Sequence, residues 1–114
     1  MTTVQVGRQA EAVAAAYLQQ HGYQILAQNW RTRSCEIDLV AREQSTIYFV
    51  EVKYRRSAGH GAGLDYITPT KLRRMTFAGQ LWVKQHGWQG WWELSALEVT
   101  GRNFEPTNFV PTLT

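Results

Sequence analysis

The chain has 114 residues, 44% of them hydrophobic, with 12 basic against 9 acidic side chains and a net charge of +3. That size suits a single domain over 1–114 with one hydrophobic core, and the apolar fraction excludes a disordered chain. Nothing approaches 18 consecutive apolar residues, so no membrane span is expected.

The N-terminal MTTVQVGRQAEA has no apolar run after a basic start, so it does not read as a signal peptide. Cys35 is the sole cysteine. It cannot form an internal disulfide or a cysteine cage for zinc, which suits a cytoplasmic setting. The mild positive charge favours an anionic partner.

From about Val4 to His21, Val6, Ala10, Val13, Ala14, Tyr17 and Leu18 recur at helical spacing, and Gly22 follows as a left-handed cap. Glu11 adjoins this apolar stripe. YQILAQNW reads as a first strand and RTRSC as the turn out of it. Glu36–Arg42 alternates, which places Glu36, Asp38 and Val40 on one face and Ile37, Leu39 and Ala41 on the other. After the short connection EQST, IYFVEVKYRR forms a third strand antiparallel to the second. Ile47, Phe49, Glu51 and Lys53 share one face of it, and Tyr48, Val50, Val52 and Tyr54 the other.

SAGHGAGLDYI is glycine-rich and reads as an irregular loop, with His60 an exposed loop histidine. Thr68 and Pro69 open a second helix that should run to His86 and stop at Gly87. Leu72, Met75, Ala78, Leu81 and Trp82 make its core face. His21 and His86 sit near helix C-termini, where a charged imidazole is favourable. WWELSALEVT is a fourth strand in which Trp91 and Trp92 face opposite sides, and the tail adds a short edge strand. The order α-β-β-β-α-β describes an α/β domain with a mixed sheet.

Glu51 and Lys53 are out of place on a strand with apolar flanks. If the second and third strands pair, Asp38 and Glu51 lie about 5 Å apart between β-carbons. Two carboxylates so close repel unless a cation lies between them. A hard divalent cation, Mg²⁺ or Mn²⁺, accepts such oxygen ligands. Lys53 would project from the same face, about 7 Å further along the strand, where it can stabilise charge on a phosphate or position a water. Glu11 can add a carboxylate through a metal-bound water. The alternative is an edge-strand salt bridge between Glu51 and Lys53, with Asp38 and Glu36 facing solvent. The apolar run Ile47–Val50 argues instead for a central strand, a poor place for an idle ion pair. Arg55 and Arg56 leave the strand beyond Lys53, and Lys71, Arg73 and Arg74 open the second helix. These five side chains form the candidate phosphate-binding surface.

Gly7-Arg8-Gln9-Ala10-Glu11 with Ala14, the Asn29–Arg31 block, Glu36-Ile37-Asp38-Leu39 and Phe49-Val50-Glu51-Val52-Lys53-Tyr54-Arg55 together resemble the bacterial YraN family. Lys71 also fits that pattern. The resemblance implies membership of the PD-(D/E)XK nuclease superfamily, with a likeness to archaeal Holliday-junction resolvases and a restriction-endonuclease-like fold. It further implies metal-dependent phosphodiester hydrolysis in DNA or another structured nucleic acid. Glu11, Asp38, Glu51 and Lys53 would be its catalytic positions. Asp38, Glu51 and the backbone carbonyl of Val52 would be the metal ligands, and Lys53 would orient the water.

A two-fold dimer, as in the resolvases, is a further expectation. The other expectation is a non-catalytic adaptor that retains the fold. Two departures favour it: Cys35 stands where the family usually has glycine, and Leu94-Ser95 where it often has Phe-Asp. A positive φ at Cys35 would cost about 1 kcal/mol or more.

Overall fold

The computed structural model describes residues 1–57 and 63–113. Helix α1 spans Thr3–Gln20 and is followed by strands β1 (Gln24–Arg31), β2 (Glu36–Glu43) and β3 (Thr46–Arg55). Helix α2 (Pro69–His86) then leads to β4 (Trp91–Thr100) and β5 (Glu105–Val110), the latter being the expected edge strand of the tail. His60 lies outside the described residues.

The helix ends form for local reasons. Thr2 accepts from the Gln5 N–H at 3.1 Å while the Gln5 side chain accepts from the Thr2 N–H at 2.7 Å, a reciprocal capping box. Thr68 caps α2 by accepting from the Lys71 N–H at 3.1 Å, with Pro69 in the first turn. Gly87 ends α2 at a φ of 65°, which glycine adopts without steric cost.

Among the described residues the strands form one sheet in the order β1-β2-β3-β4-β5. β3 is therefore central, and an edge-strand explanation for Glu51 and Lys53 fails. β1, β2 and β3 are antiparallel neighbours; β3 and β4 are parallel. A parallel pair needs a crossover, and α2 is that crossover. It returns the chain across the sheet face so that its first turn stands over the C-terminal half of β3.

The helices cover opposite faces. Ala10, Ala14, Ala15 and Leu18 of α1 pack on Leu39, Ala41, Val50, Leu97 and Val99. Alanines along that stripe let the helix lie close to the sheet. On the other side Ala78 and Trp82 of α2 pack on Ile37, Val40, Ile47 and Phe49. Gly79 is wedged there, since a Cβ on it would stand 2.9 Å from Phe49 Cδ2 and 3.0 Å from Trp92 Cζ3. Trp92 meets the Phe49 ring at 5.4 Å while Trp91 is 76% exposed, so the adjacent tryptophans do face opposite ways. His21 Nδ1 and His86 Nδ1 each lie 2.8 Å from the carbonyl one helical turn back.

Within β2, strict alternation fails at one place. Ile37 and Leu39 are two residues apart, yet Ile37 packs on the α2 side and Leu39 on the α1 side. The expected grouping of Ile37 with Leu39 and Ala41 is therefore wrong. β2 rotates at Asp38, where its regular pairing with β3 has ended at Leu39–Val50.

Candidate metal and nucleic-acid site

Asp38 stands where β2 and β3 separate. Its Oδ2 accepts from the Val52 N–H at 2.9 Å, so a carboxylate takes the place of a backbone carbonyl in the ladder. This substitution keeps the Val52 donor satisfied while the strands splay. Glu51 occupies the adjoining position on β3. Both carboxylates line one cleft of about 550 Å³, with Ser34, Cys35 and Glu36 beside them and Thr70, Lys71, Arg73, Arg74, Met75 and Phe77 of α2 opposite. A narrower recess of about 10 Å³, the scale of one water, is lined by Asp38 and Glu51 together with Ile37, Phe49 and Met75.

The electrostatics of Asp38 are those of a carboxylate short of positive charge. Burial, and then repulsion from Glu51, raise its pKa from 3.8 to about 7. The Val52 N–H pulls the other way, and Glu11 and Glu36 add smaller upward pushes. Lys71 Nζ lies 2.8 Å from Glu51 Oε2, so the cationic partner in this part of the cleft serves Glu51. Among the described residues no three His, Cys, Asp or Glu side chains gather closely enough to hold a metal unaided. The donor set is two carboxylates with neighbouring backbone. That matches ions such as Mg²⁺, which keep several waters and take one or two carboxylates.

Glu11 approaches Asp38 from α1 but does not line the cleft. It accepts from Arg8 Nη1 at 3.1 Å and from the Asn29 side-chain amide. Asn29 has a φ of 52°, in the left-handed region that asparagine tolerates better than most residues. Its neighbours pair as Gln28–Leu39 and Trp30–Ile37, which places Asn29 beside Asp38. Asn29, which the sequence offers only as part of a motif, fixes the Glu11 carboxylate.

Lys53 shares the α2 face with Glu51 but is not among the cleft-lining residues. Its Nζ lies 5.6 Å from the centroid of the Tyr66 ring, and the Arg55 guanidinium lies 5.4 Å from that same ring. The Tyr66 hydroxyl is buried and has no partner among the described residues. Burial, then Glu98 and Glu51, raise its pKa.

Arg55 is drawn into an ion pair, with Nε 2.8 Å from Glu98 Oε2. Its Nη2 also donates to the Gly63 carbonyl at 3.0 Å. Arg56, Arg73 and Arg74 are exposed, and of these Arg73 and Arg74 line the cleft. Glu98 is 7% exposed and also accepts from Asn108 at 3.1 Å. The sequence reading passed over Glu98, although its alternation with Trp92, Leu94 and Ala96 carries the same signal as Glu51 on its strand.

The two departures have local accounts. Cys35 is not among the described non-glycine residues of positive φ, which are Asn29, Gln44 and Phe104. It therefore introduces no left-handed strain. Its N–H donates to Thr32 Oγ1 at 3.2 Å, closing the turn between β1 and β2. Ser95 is fully buried and donates to the Pro111 carbonyl at 2.6 Å, tying the tail to β4.

Comparison with known sequences places the chain. The model of the family described as "Uncharacterised protein family UPF0102" matches residues 10–105. The chain belongs to the UPF0102 family. A UPF0102 protein of Chlorobium chlorochromatii is 49% identical over 86 residues, which is 75% of this chain and 67% of the relative. One from Leifsonia xyli subsp. xyli is 42% identical over 83 residues, 73% of this chain and 70% of the relative. A UPF0102 protein of Pseudomonas putida is 43% identical over 84 residues, covering 74% and 68% respectively. The matched span of the UPF0102 model runs from α1 to the start of β5 and includes Glu11, Asp38, Glu51 and Lys53. Among the described residues no helix is long and apolar enough to cross a membrane.

Proposed function

We propose that this UPF0102 protein is a metal-dependent nuclease of the PD-(D/E)XK superfamily that hydrolyses phosphodiester bonds in DNA or other structured nucleic acid. The observation that carries the reading is the pairing of Asp38 and Glu51 at a strand splay, in a cleft whose opposite wall bears Lys71, Arg73 and Arg74. The raised pKa of Asp38 fits a site completed by a cation. Asp38, Glu51 and the Val52 carbonyl would hold Mg²⁺ or Mn²⁺. When bound, such an ion polarises a phosphoryl oxygen and activates a water.

The remaining work falls to the chain itself. The basic wall of α2 would hold the nucleic-acid backbone by its phosphates. Glu11, held by Arg8 and Asn29, keeps a further negative charge behind Asp38. Lys53 would neutralise charge developing on the phosphate. To do so it must leave the Tyr66 ring, a movement of one flexible side chain on a fixed strand. A two-fold dimer would present two such clefts to a branched substrate.

Calorimetric titration with Mn²⁺ and cleavage assays on linear, nicked, flapped and four-way DNA test the reading. The wild type should bind Mn²⁺ at millimolar concentration or below and cleave at least one substrate. Asp38→Ala should lose metal binding, and Lys53→Ala should keep it while cleavage falls by about 10²–10³-fold. No metal binding by the wild type would refute the proposal. Metal and DNA binding without cleavage of any substrate would favour the second reading, a non-catalytic nucleic-acid-binding adaptor. The position of Lys53 over Tyr66, outside the cleft lining, is the observation on that side.

A further inference from the structure

Phe77 is a large apolar side chain left 50% exposed on α2. Among the described residues Met1, Val4, Leu26 and Trp91 are the other large exposed apolar ones, and of this group Phe77 is the one that lines the cleft. Exposed apolar residues standing singly are common and need no explanation. The surroundings of Phe77 differ from that ordinary case. Thr70, Arg73, Arg74 and Phe77 recur at helical spacing and all line the cleft, so the aromatic ring ends a polar and basic stripe. The stripe starts at the carboxylates, because Lys71 contacts Glu51 at 2.8 Å. The six steps from Lys71 to Phe77 rise about 9 Å along the helix, which spans roughly two to three nucleotides at 3.4 Å per step. The buried side of α2, at Ala78, Gly79 and Trp82, locks the helix against the sheet and gives the stripe a fixed position.

A protein partner would favour a contiguous apolar patch, whereas here a lone ring is bordered by arginines. Guanidinium groups match phosphates, and a ring with no polar atom matches the face of a base. In an intact duplex those faces are covered by their neighbours. We propose that Phe77 is a stacking platform for an unpaired base, with Arg73 and Arg74 on the phosphates beside it, so that the cleft selects single-stranded or frayed nucleic acid over intact duplex. This inference rests on the reading that the cleft binds nucleic acid, and it names the substrate feature recognised there.

Fluorescence anisotropy tests it with a labelled single-stranded DNA and a blunt duplex of the same sequence, in chelator so that nothing is cleaved. The wild type should prefer the single strand. Phe77→Ala should weaken single-strand binding by about 5- to 150-fold and duplex binding by less than about twofold. Phe77→Trp should restore the preference. Arg73→Ala with Arg74→Ala should weaken both DNAs and reduce the salt slope by about two. Phe77 is exposed, so thermal unfolding of its variants should match the wild type and exclude misfolding as the cause. Equal loss on both DNAs, no loss on either, or failure of Phe77→Trp to restore the preference would overturn the stacking role and leave the nuclease reading standing. Absence of binding by the wild type to both DNAs would overturn the two together.

Discussion

Replacing Asp38 by asparagine should stabilise the metal-free protein at pH 8 while leaving it nearly unchanged at pH 4. Burial, then Glu51, raise the Asp38 pKa from 3.8 to about 7 in the folded chain. In the unfolded chain the carboxyl titrates near its ordinary value. Between about pH 4 and 7 the folded protein keeps a proton that the unfolded chain has lost. Wild-type stability from this group therefore falls as pH rises through that window and levels off above it. At about 1.4 kcal/mol for each tenfold change in proton affinity, the full loss is about 4 kcal/mol. Lys71 shares the field of Glu51, and solvent reaches the cleft, so a difference of about 2–4 kcal/mol is expected. Asparagine retains an oxygen to accept from the Val52 N–H but cannot ionise. Urea unfolding of both proteins in chelator at pH 4, 6 and 8 measures the gap. Parallel pH profiles, or a variant less stable than wild type at pH 8, would refute the account of Asp38. Mn²⁺ at about a hundred times its Kd should then return about 2.7 kcal/mol to the wild type at pH 8, with no effect on Asp38→Asn.

Three further substitutions probe the neighbourhood. Lys71→Met should tighten Mn²⁺ binding by up to about fivefold without nucleic acid, because the partly exposed Lys71–Glu51 pair is worth under about 1 kcal/mol; calorimetry showing weaker or equal binding would contradict a competing ammonium. Gly79→Ala should lower stability by about 1–2 kcal/mol, since overpacking against Phe49 and Trp92 exceeds the helix-propensity gain of about 1 kcal/mol. A stabilised variant in urea unfolding would show that α2 sits less tightly than described. A double-mutant cycle of Arg55→Ala and Glu98→Ala should give a coupling energy above about 1 kcal/mol for this largely buried pair. Coupling near zero would free Arg55 for the phosphate contact read from its place at the strand end.

Features set by neighbours in sequence are legible in the sequence itself. Caps at Thr68 and Gly87 bounded α2, and alternation in IYFVEVKYRR divided β3 correctly between the α1 and α2 sides. Glu51 and Lys53 announced themselves as charges among apolar neighbours, because desolvation makes such residues costly wherever the strand lies. Asp38 was reachable by assuming that two consecutive strands pair.

Other features depend on partners distant in sequence. Alternation counts residues and assumes an unbroken ladder, so it missed the rotation at Asp38 that sends Ile37 to the other core. That rotation arises when a side chain replaces a backbone carbonyl at Val52, a choice that requires β3 to be in place. Lys71 on Glu51, Arg55 on Glu98 and Lys53 beside Tyr66 are likewise contacts that a linear pattern does not encode. The sequence by itself determined the helices, the strands and which charges would be expensive to bury. Tertiary structure alone decided which cation answers which carboxylate, since charge pairing depends on distance in space and only the packed sheet and crossover set those distances.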